Sequence, residues 1–449
     1  MQRQATTQQQ DRIGSAMLNA VGFAAQQSRI FCAPAKSDTP SFPDSASVAL
    51  SKLHYMQGFP PPADKQITRA EYLAQFPKTR WAFQHMRELI PSRQIACGRA
   101  PVTQLPVSNE QQKAIDALSI ELSDGSHITF ADFLNLSYAD ALLIIHKGQV
   151  VYQTYPNMAA EQSPHMLWSV TKSFTGLVAN MLIMEGELNA ESLVTEHIPE
   201  LAESGWAGAT VQQVLDMTAD VKYSEVYADG TSDVINYGLS AGITQHPDWT
   251  GPASLYQYLP SIGAARAHGE HFVYRTVHSE VLGWIIRRVS GKELAQQIAE
   301  RIWSKLGAEQ DAYILLDGKG TEWAGAGLNA SLRDLGRFAE MLRQNGRYNS
   351  QQVVPAELIE EIQRGADREA FARFGRAGMD GYSYHNQWWV AHNPDGVFEA
   401  MGVHGQLVHV NPGAELSLVR LGSHPIATND YTYDMTRRVT TALADLLRG

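Results

Sequence analysis

The sequence predicts an α/β fold built mainly on one antiparallel sheet, flanked by helices and interrupted by an inserted helical region. Two strand pairs and one helix carry that expectation. Residues 141–145 form a short apolar run, Lys147-Gly148 reads as a tight turn, and residues 150–154 alternate in polarity, which is a β-hairpin pattern. Near the other end, residues 407–410 and 416–421 flank Asn411-Pro412-Gly413 as a second hairpin-like pair. A closing helix over residues 431–447 carries Met435, Val439, Leu443 and Leu446 on related faces. Strand pairs at both ends with helical patterns between them point to one antiparallel sheet, covered by helices and interrupted by a helical insertion. No repeat of 20–50 residues is present.

In chain order, residues 1–45 are rich in Gln, Ser, Ala and Pro and read as loosely ordered, with a short surface helix over 13–25. Residues 46–119 read as an N-terminal extension wrapping the main domain. There Pro60-Pro61-Pro62 marks an extended turn, and Trp81, Phe83, His85, Met86, Leu89 and Ile90 suggest one amphipathic helix before a Pro- and Arg-rich coil. Residues 120–449 read as the main domain.

Composition narrows the function classes. Of the 449 residues, 44% are hydrophobic and 18% charged, as in a globular chain with a large core. The net charge of −11 excludes a basic face for nucleic acid and favours small neutral or cationic substrates over polyanions. The longest apolar run, residues 176–184, is half of what a membrane span needs, so no membrane partner is expected. Two cysteines, Cys32 and Cys97, build neither a disulfide framework nor a zinc site; they could form one bridge but read as buried or idle thiols, compatible with a cytoplasmic protein, with a periplasmic or secreted one as the alternative. Among 15 histidines no His-Glu-x-x-His occurs, and no Walker or dinucleotide motif appears, so no metal and no cofactor are expected. A homodimer is left open.

The chemistry concentrates at Ser169. Phe174, Leu177, Val178, Met181 and Leu182 follow it at helical spacing, which sets Ser169 at a helix N-terminus where free amides and the dipole favour negative charge. Lys172, three residues on, shares its face. Burial and the positive helix end both disfavour a charged lysine there, and a neutral lysine can take the serine proton. Ser and Lys are common residues, so this pair alone is better described as an N-cap serine beside a solvated lysine.

Context decides between them. Trp168-Ser-Val-Thr-Lys-Ser-Phe-Thr-Gly176 resembles the first motif of the serine β-lactamase and penicillin-binding superfamily, in its class C-like branch. Tyr274-Arg-Thr276 and the helix after it resemble the branch's Tyr-x-Asn motif, and Gly402-Val-His-Gly-Gln406 resembles the strand facing the nucleophile. Gly325 to Asp334 is similar to a turn and helix start of the branch, with Ser331-x-x-Asp334 as a capping box. The resemblance covers roughly residues 120–449. It grows closer to the nylon-oligomer (6-aminohexanoate-dimer) hydrolases at Trp81-x-Phe-x-His85, at residues 223–229 and at Trp388-Trp389.

The resemblance implies a β-lactamase/transpeptidase-like fold and a serine hydrolase of small esters or linear amides. Ser169 would be the acylated nucleophile, Lys172 its base and Tyr274 the proton donor to the leaving group. Backbone amides of Ser169 and Gln406 would form the oxyanion hole, and Gly405 would let the strand approach the substrate. Tyr227, with Tyr223 second, would touch the substrate amide, and Trp388 would form an apolar wall. Two departures stand out: Thr276 replaces the asparagine, and Val403-His404 replace the lysine of Lys-Thr-Gly, which makes lactamase or transpeptidase action doubtful. His404 would bond Tyr274, line the pocket or be structural. A carboxylesterase, a D-amino-acid peptidase and an acylating sensor without turnover are the rival readings. Gly238-Leu-Ser-Ala-Gly242 matches a nucleophile elbow, but coil rather than helix is expected after it, so Ser240 reads as part of a turn.

Overall fold

Seven antiparallel strands form the central sheet: β1 (Ala139–His146), β2 (Gln149–Thr154), β3 (Ser383–His385), β4 (Trp388–Val390), β5 (Phe398–Gly402), β6 (Gln406–Asn411) and β7 (Leu416–Gly422). Their order across the sheet is β3-β4-β5-β6-β7-β1-β2, so the two ends of the domain meet where β7 pairs with β1. The computed structural model describes residues 42–449 except 74, 75, 228 and 377. The expected helix over 13–25, Cys32 and most of the loosely ordered start lie outside the described residues.

The β1–β2 hairpin turns on Lys147 (φ 51°) and Gly148 (φ 79°), both left-handed, which is the two-residue geometry that matches the twist of the strands. β1 is buried along almost its whole length because both its faces are covered. Leu143 and Ile145 belong to the core cluster that also holds α1 (Val170–Met184), α2 (Thr276–Ser290) and α3 (Leu332–Arg343). Leu142 and Ile144 belong to the cluster that holds Val439 and Leu443 of the closing helix α4 (Tyr433–Arg448). A period of two thus splits one strand between two helical layers.

A smaller four-stranded sheet joins Ser92–Ile95, Ala312–Leu315, Leu328–Ala330 and His165–Met166. Its last strand leads straight into Ser169. The expected single helix across residues 81–90 is two short ones, Lys78–Ala82 and Met86–Leu89. The break has a cause: the Phe83 carbonyl accepts from Met166 N at 2.7 Å, spending on the strand before the nucleophile a bond that a helix would need. Ser331 caps α3 through Asp334 N, but the Asp334 carboxylate bonds Glu309 N, Gln310 N and Arg337, so the capping box is half formed. No helix of the described residues is long and apolar enough to cross a membrane.

Candidate active site

Ser169 sits at a sharp strand-to-helix turn. Trp168 before it holds φ 49°, a left-handed conformation rare for a bulky residue and a sign of local strain at the turn. Ser169 is the N-cap of α1, nearly buried, and Lys172 lies one turn along, almost wholly buried. The Lys172 Nζ donates to Ser169 Oγ at 2.9 Å and to the Gly325 carbonyl at 2.7 Å. Burial pushes Lys172 below the ordinary lysine value, against the nearby carboxylates of Glu225 and Glu280.

Those two carboxylates were not evident in the sequence. Glu280, on α2, accepts from Ala324 N (2.9 Å), Gly325 N (3.0 Å) and Tyr237 Oη (2.7 Å), fixing the turn whose carbonyl receives Lys172. Its own burial raises its pKa. Glu225 accepts from Thr276 Oγ1 at 2.6 Å, Thr276 N at 2.5 Å and Tyr227 Oη at 2.7 Å. The threonine standing in the asparagine position therefore anchors a loop carboxylate.

Tyr274 approaches from the loop before α2. Its ring centroid is 5.2 Å from Lys172 Nζ, it stacks on Trp389 at 5.3 Å, and its hydroxyl neighbours the Ser169 hydroxyl. Burial and Glu225 raise its pKa well above the ordinary tyrosine value. The two groups flanking the serine are thus displaced in opposite directions: the lysine toward neutral base, the tyrosine toward a retained proton.

Ser169 opens onto two cavities. One, of about 630 Å³, is lined among others by Tyr223, Glu225, Tyr227, Tyr274, Arg376 and Trp389. The other is an apolar slot of about 50 Å³, lined by Trp168, Val234, Ile235, Gly238, Ile243, Ala326 and others. Tyr227 and Val403 line both. Among the described residues no group of three His, Cys, Asp or Glu side chains could hold a metal ion.

Four of the expected site residues stand elsewhere. Trp388 is fully buried, packed against Phe398 and Phe338, while its neighbour Trp389 faces the cavity. His404 is 1% exposed, packs on Phe83 and Trp168, and bonds the His424 carbonyl through Nδ1 at 2.7 Å. It neither meets Tyr274 nor lines either cavity, and burial lowers its pKa to about 4. Gln406, expected to offer its backbone amide, lines neither cavity and turns its side chain to Gly422 N and O and to the Val403 carbonyl, while the Gly405 amide donates to Asn429 Oδ1 at 3.1 Å. Gly402 and Val403 occupy the cavity wall instead. The close approach belongs to Gly402: a Cβ there would lie 2.4 Å from the Leu167 carbonyl, just before the nucleophile. Gly405 is needed for its φ of 94°, the left-handed turn into β6. Ser240 is buried inside a helix, Asp233–Ala241, capped by left-handed Gly242, rather than in a turn.

Comparison with known proteins agrees with this architecture. Residues 138–439 match the family model described as Beta-lactamase. A 6-aminohexanoate-dimer hydrolase of Paenarthrobacter ureafaciens is 34% identical over 351 residues, covering 78% of this chain and 86% of that protein. A Bacillus anthracis protein provisionally named a 6-aminohexanoate-dimer hydrolase superposes with a TM-score of 0.78 at 30% identity, over 86% of this chain and 98% of its own. A penicillin-binding protein homologue from Caulobacter crescentus shares the fold at a TM-score of 0.51 and 18% identity, over 70% and 96% of the two chains. The chain belongs to the β-lactamase family and is a serine hydrolase.

Proposed function

We propose that the enzyme cleaves small linear amides or esters through an acyl-Ser169 intermediate, in the manner of the 6-aminohexanoate-dimer hydrolases it resembles. One observation carries the reading: a buried lysine bonded to the serine hydroxyl, faced by a tyrosine whose proton is held. Neutral Lys172 takes the Ser169 proton as Oγ attacks the carbonyl carbon. The oxyanion would be met by the amides of Ser169 and Val403, each worth about 3 kcal/mol in such chemistry. Tyr274 protonates the leaving group; water then hydrolyses the acyl-enzyme and restores the proton balance.

A cytoplasmic location, read from the sparse cysteines, is part of the same proposal, and fractionation of the native host checks it. The function is tested by following a short-chain p-nitrophenyl ester with the wild type and Ser169→Ala. Steady turnover that vanishes in the variant supports the reading. A burst of one product per site and then silence would make the protein an acylating sensor; equal rates in both would remove Ser169 from the chemistry.

A further inference from the structure

Val403-His404 stand where the resembled branch has the lysine of Lys-Thr-Gly, and His404 is buried and neutral near pH 7, so that segment brings no charge to the cavity. A cation does reach the large cavity, from another segment. Arg376 is the only Lys or Arg among the described residues lining it. Its guanidinium lies over the Trp389 ring at 4.9 Å and over the Tyr433 ring at 5.1 Å. Stacking on aromatic faces fixes the guanidinium plane and leaves its donor edges free for a planar carboxylate. Among the described residues its one ion pair is long, 3.7 Å from Nε to Asp430, and the Asp430 side chain is 54% exposed, so the charge is weakly compensated. The other carboxylate of the cavity, Glu225, already accepts three hydrogen bonds, from Thr276 N and Oγ1 and Tyr227 Oη.

The two cavities also have a polarity. Tyr274, the proton donor in the proposed function, lines the large cavity and not the slot. The group it protonates on departure must therefore lie in the large cavity, beside Trp389 and Arg376. The acyl part is left the slot, whose lining holds no charged side chain. An ammonium or carboxylate on the acyl chain would be desolvated there without a partner.

Resting on the acyl-Ser169 reading above, we propose that the substrates join a short uncharged acyl group to a leaving group that bears a carboxylate, and that Arg376 is the residue that selects it. In the reaction the acyl C–O or C–N bond breaks, Oγ takes the acyl group, and the departing oxygen or nitrogen takes the Tyr274 proton. Water then supplies a hydroxyl to the acid product and a proton to the resting enzyme. N-acylated ω-amino acids and acyl esters of hydroxy acids meet this description; an oligomer with a free amino end does not.

The test uses three acetate esters of equal chain length, whose alcohols end in a carboxylate, a carboxamide or an ammonium group. For the wild type, kcat/KM should favour the carboxylate over the carboxamide by about tenfold or more, as a charge-assisted contact gives. In Arg376→Gln that ratio should collapse toward one, chiefly through KM, and Arg376→Lys should restore part of it. A merely structural role would lower both esters and leave the ratio. A wild-type ratio near one, a preference for the ammonium ester, or a ratio that survives Arg376→Gln would overturn the proposal with Ser169-dependent turnover intact. Hydrolysis of all three unaffected by Ser169→Ala would instead overturn the reading beneath it.

Discussion

The two walls of the active site are built in opposite ways. The nucleophile wall is one turn of helix: Ser169 and Lys172 lie three residues apart, both almost buried, and are joined at 2.9 Å. The opposite wall is gathered from separate segments, with Glu225 and Tyr227 from one loop, Tyr274 from another, Arg376 and Trp389 from a third stretch and Val403 from the end of β5. Reactivity needs sub-ångström preorganisation, which a helix end supplies locally. Recognition tolerates loops, and loops on a rigid sheet are where substrate range changes most readily. Family membership therefore constrains the first wall more than the second.

The largest effect should fall on the first wall. Ser169→Ala is expected to lower kcat/KM by about 10⁴-fold or more with an unchanged circular dichroism spectrum. Loss of fold in that variant would make the serine structural and erase the contrast.

The two adjacent tryptophans sharpen it next. Trp388→Ala should destabilise the protein by about 3–5 kcal/mol in denaturant unfolding, because a fully buried indole is removed. Trp389→Ala should cost less stability and show its effect in KM. Interchanged outcomes would mean that the sheet register at β4 is wrong.

Among the glycines, Gly402→Ala should reduce kcat by about 10²-fold, since its Cβ would press on the Leu167 carbonyl beside the nucleophile. Gly405→Ala should instead cost about 1 kcal/mol of stability for its left-handed backbone. Equal kinetic penalties at both positions would refute the assignment of the close approach to Gly402.

The smallest effect is a pH shift. Activity should rise with pH as Lys172 deprotonates, with its limb below the ordinary lysine value of about 10.4 because burial disfavours the charged form. The Glu280 carboxylate favours charged Lys172, so Glu280→Gln should move that limb to lower pH. A pH–rate profile in which the limb stays or climbs would exclude the coupling.

What could be read in the sequence follows the same division. Ser169 and Lys172 were legible because their relation is helical spacing, and the β1–β2 and β6–β7 hairpins because turn residues bracket alternating runs. Trp388 and Trp389 could not be told apart, since adjacent strand residues face opposite sides and only the register decides which is inward. Gln406 and Gly405 were misplaced because His404 reverses the chain in a left-handed conformation (φ 62°) that no glycine or asparagine announces. Glu225 and Glu280 lie within stretches that carry the resemblance, but nothing in their spacing relates them to Lys172; only folding brings them there. Ser240 shows the converse, a motif match that helix Asp233–Ala241 buries out of reach.

Intact-protein and peptide mass spectrometry after brief treatment with a fluorophosphonate or a slow-turnover ester locates the nucleophile directly. Acylation at Ser169 requires one adduct per chain, on the peptide containing Ser169, lost in Ser169→Ala and retained in Ser240→Ala. An adduct that persists in Ser169→Ala, or that maps to any other serine, would contradict it.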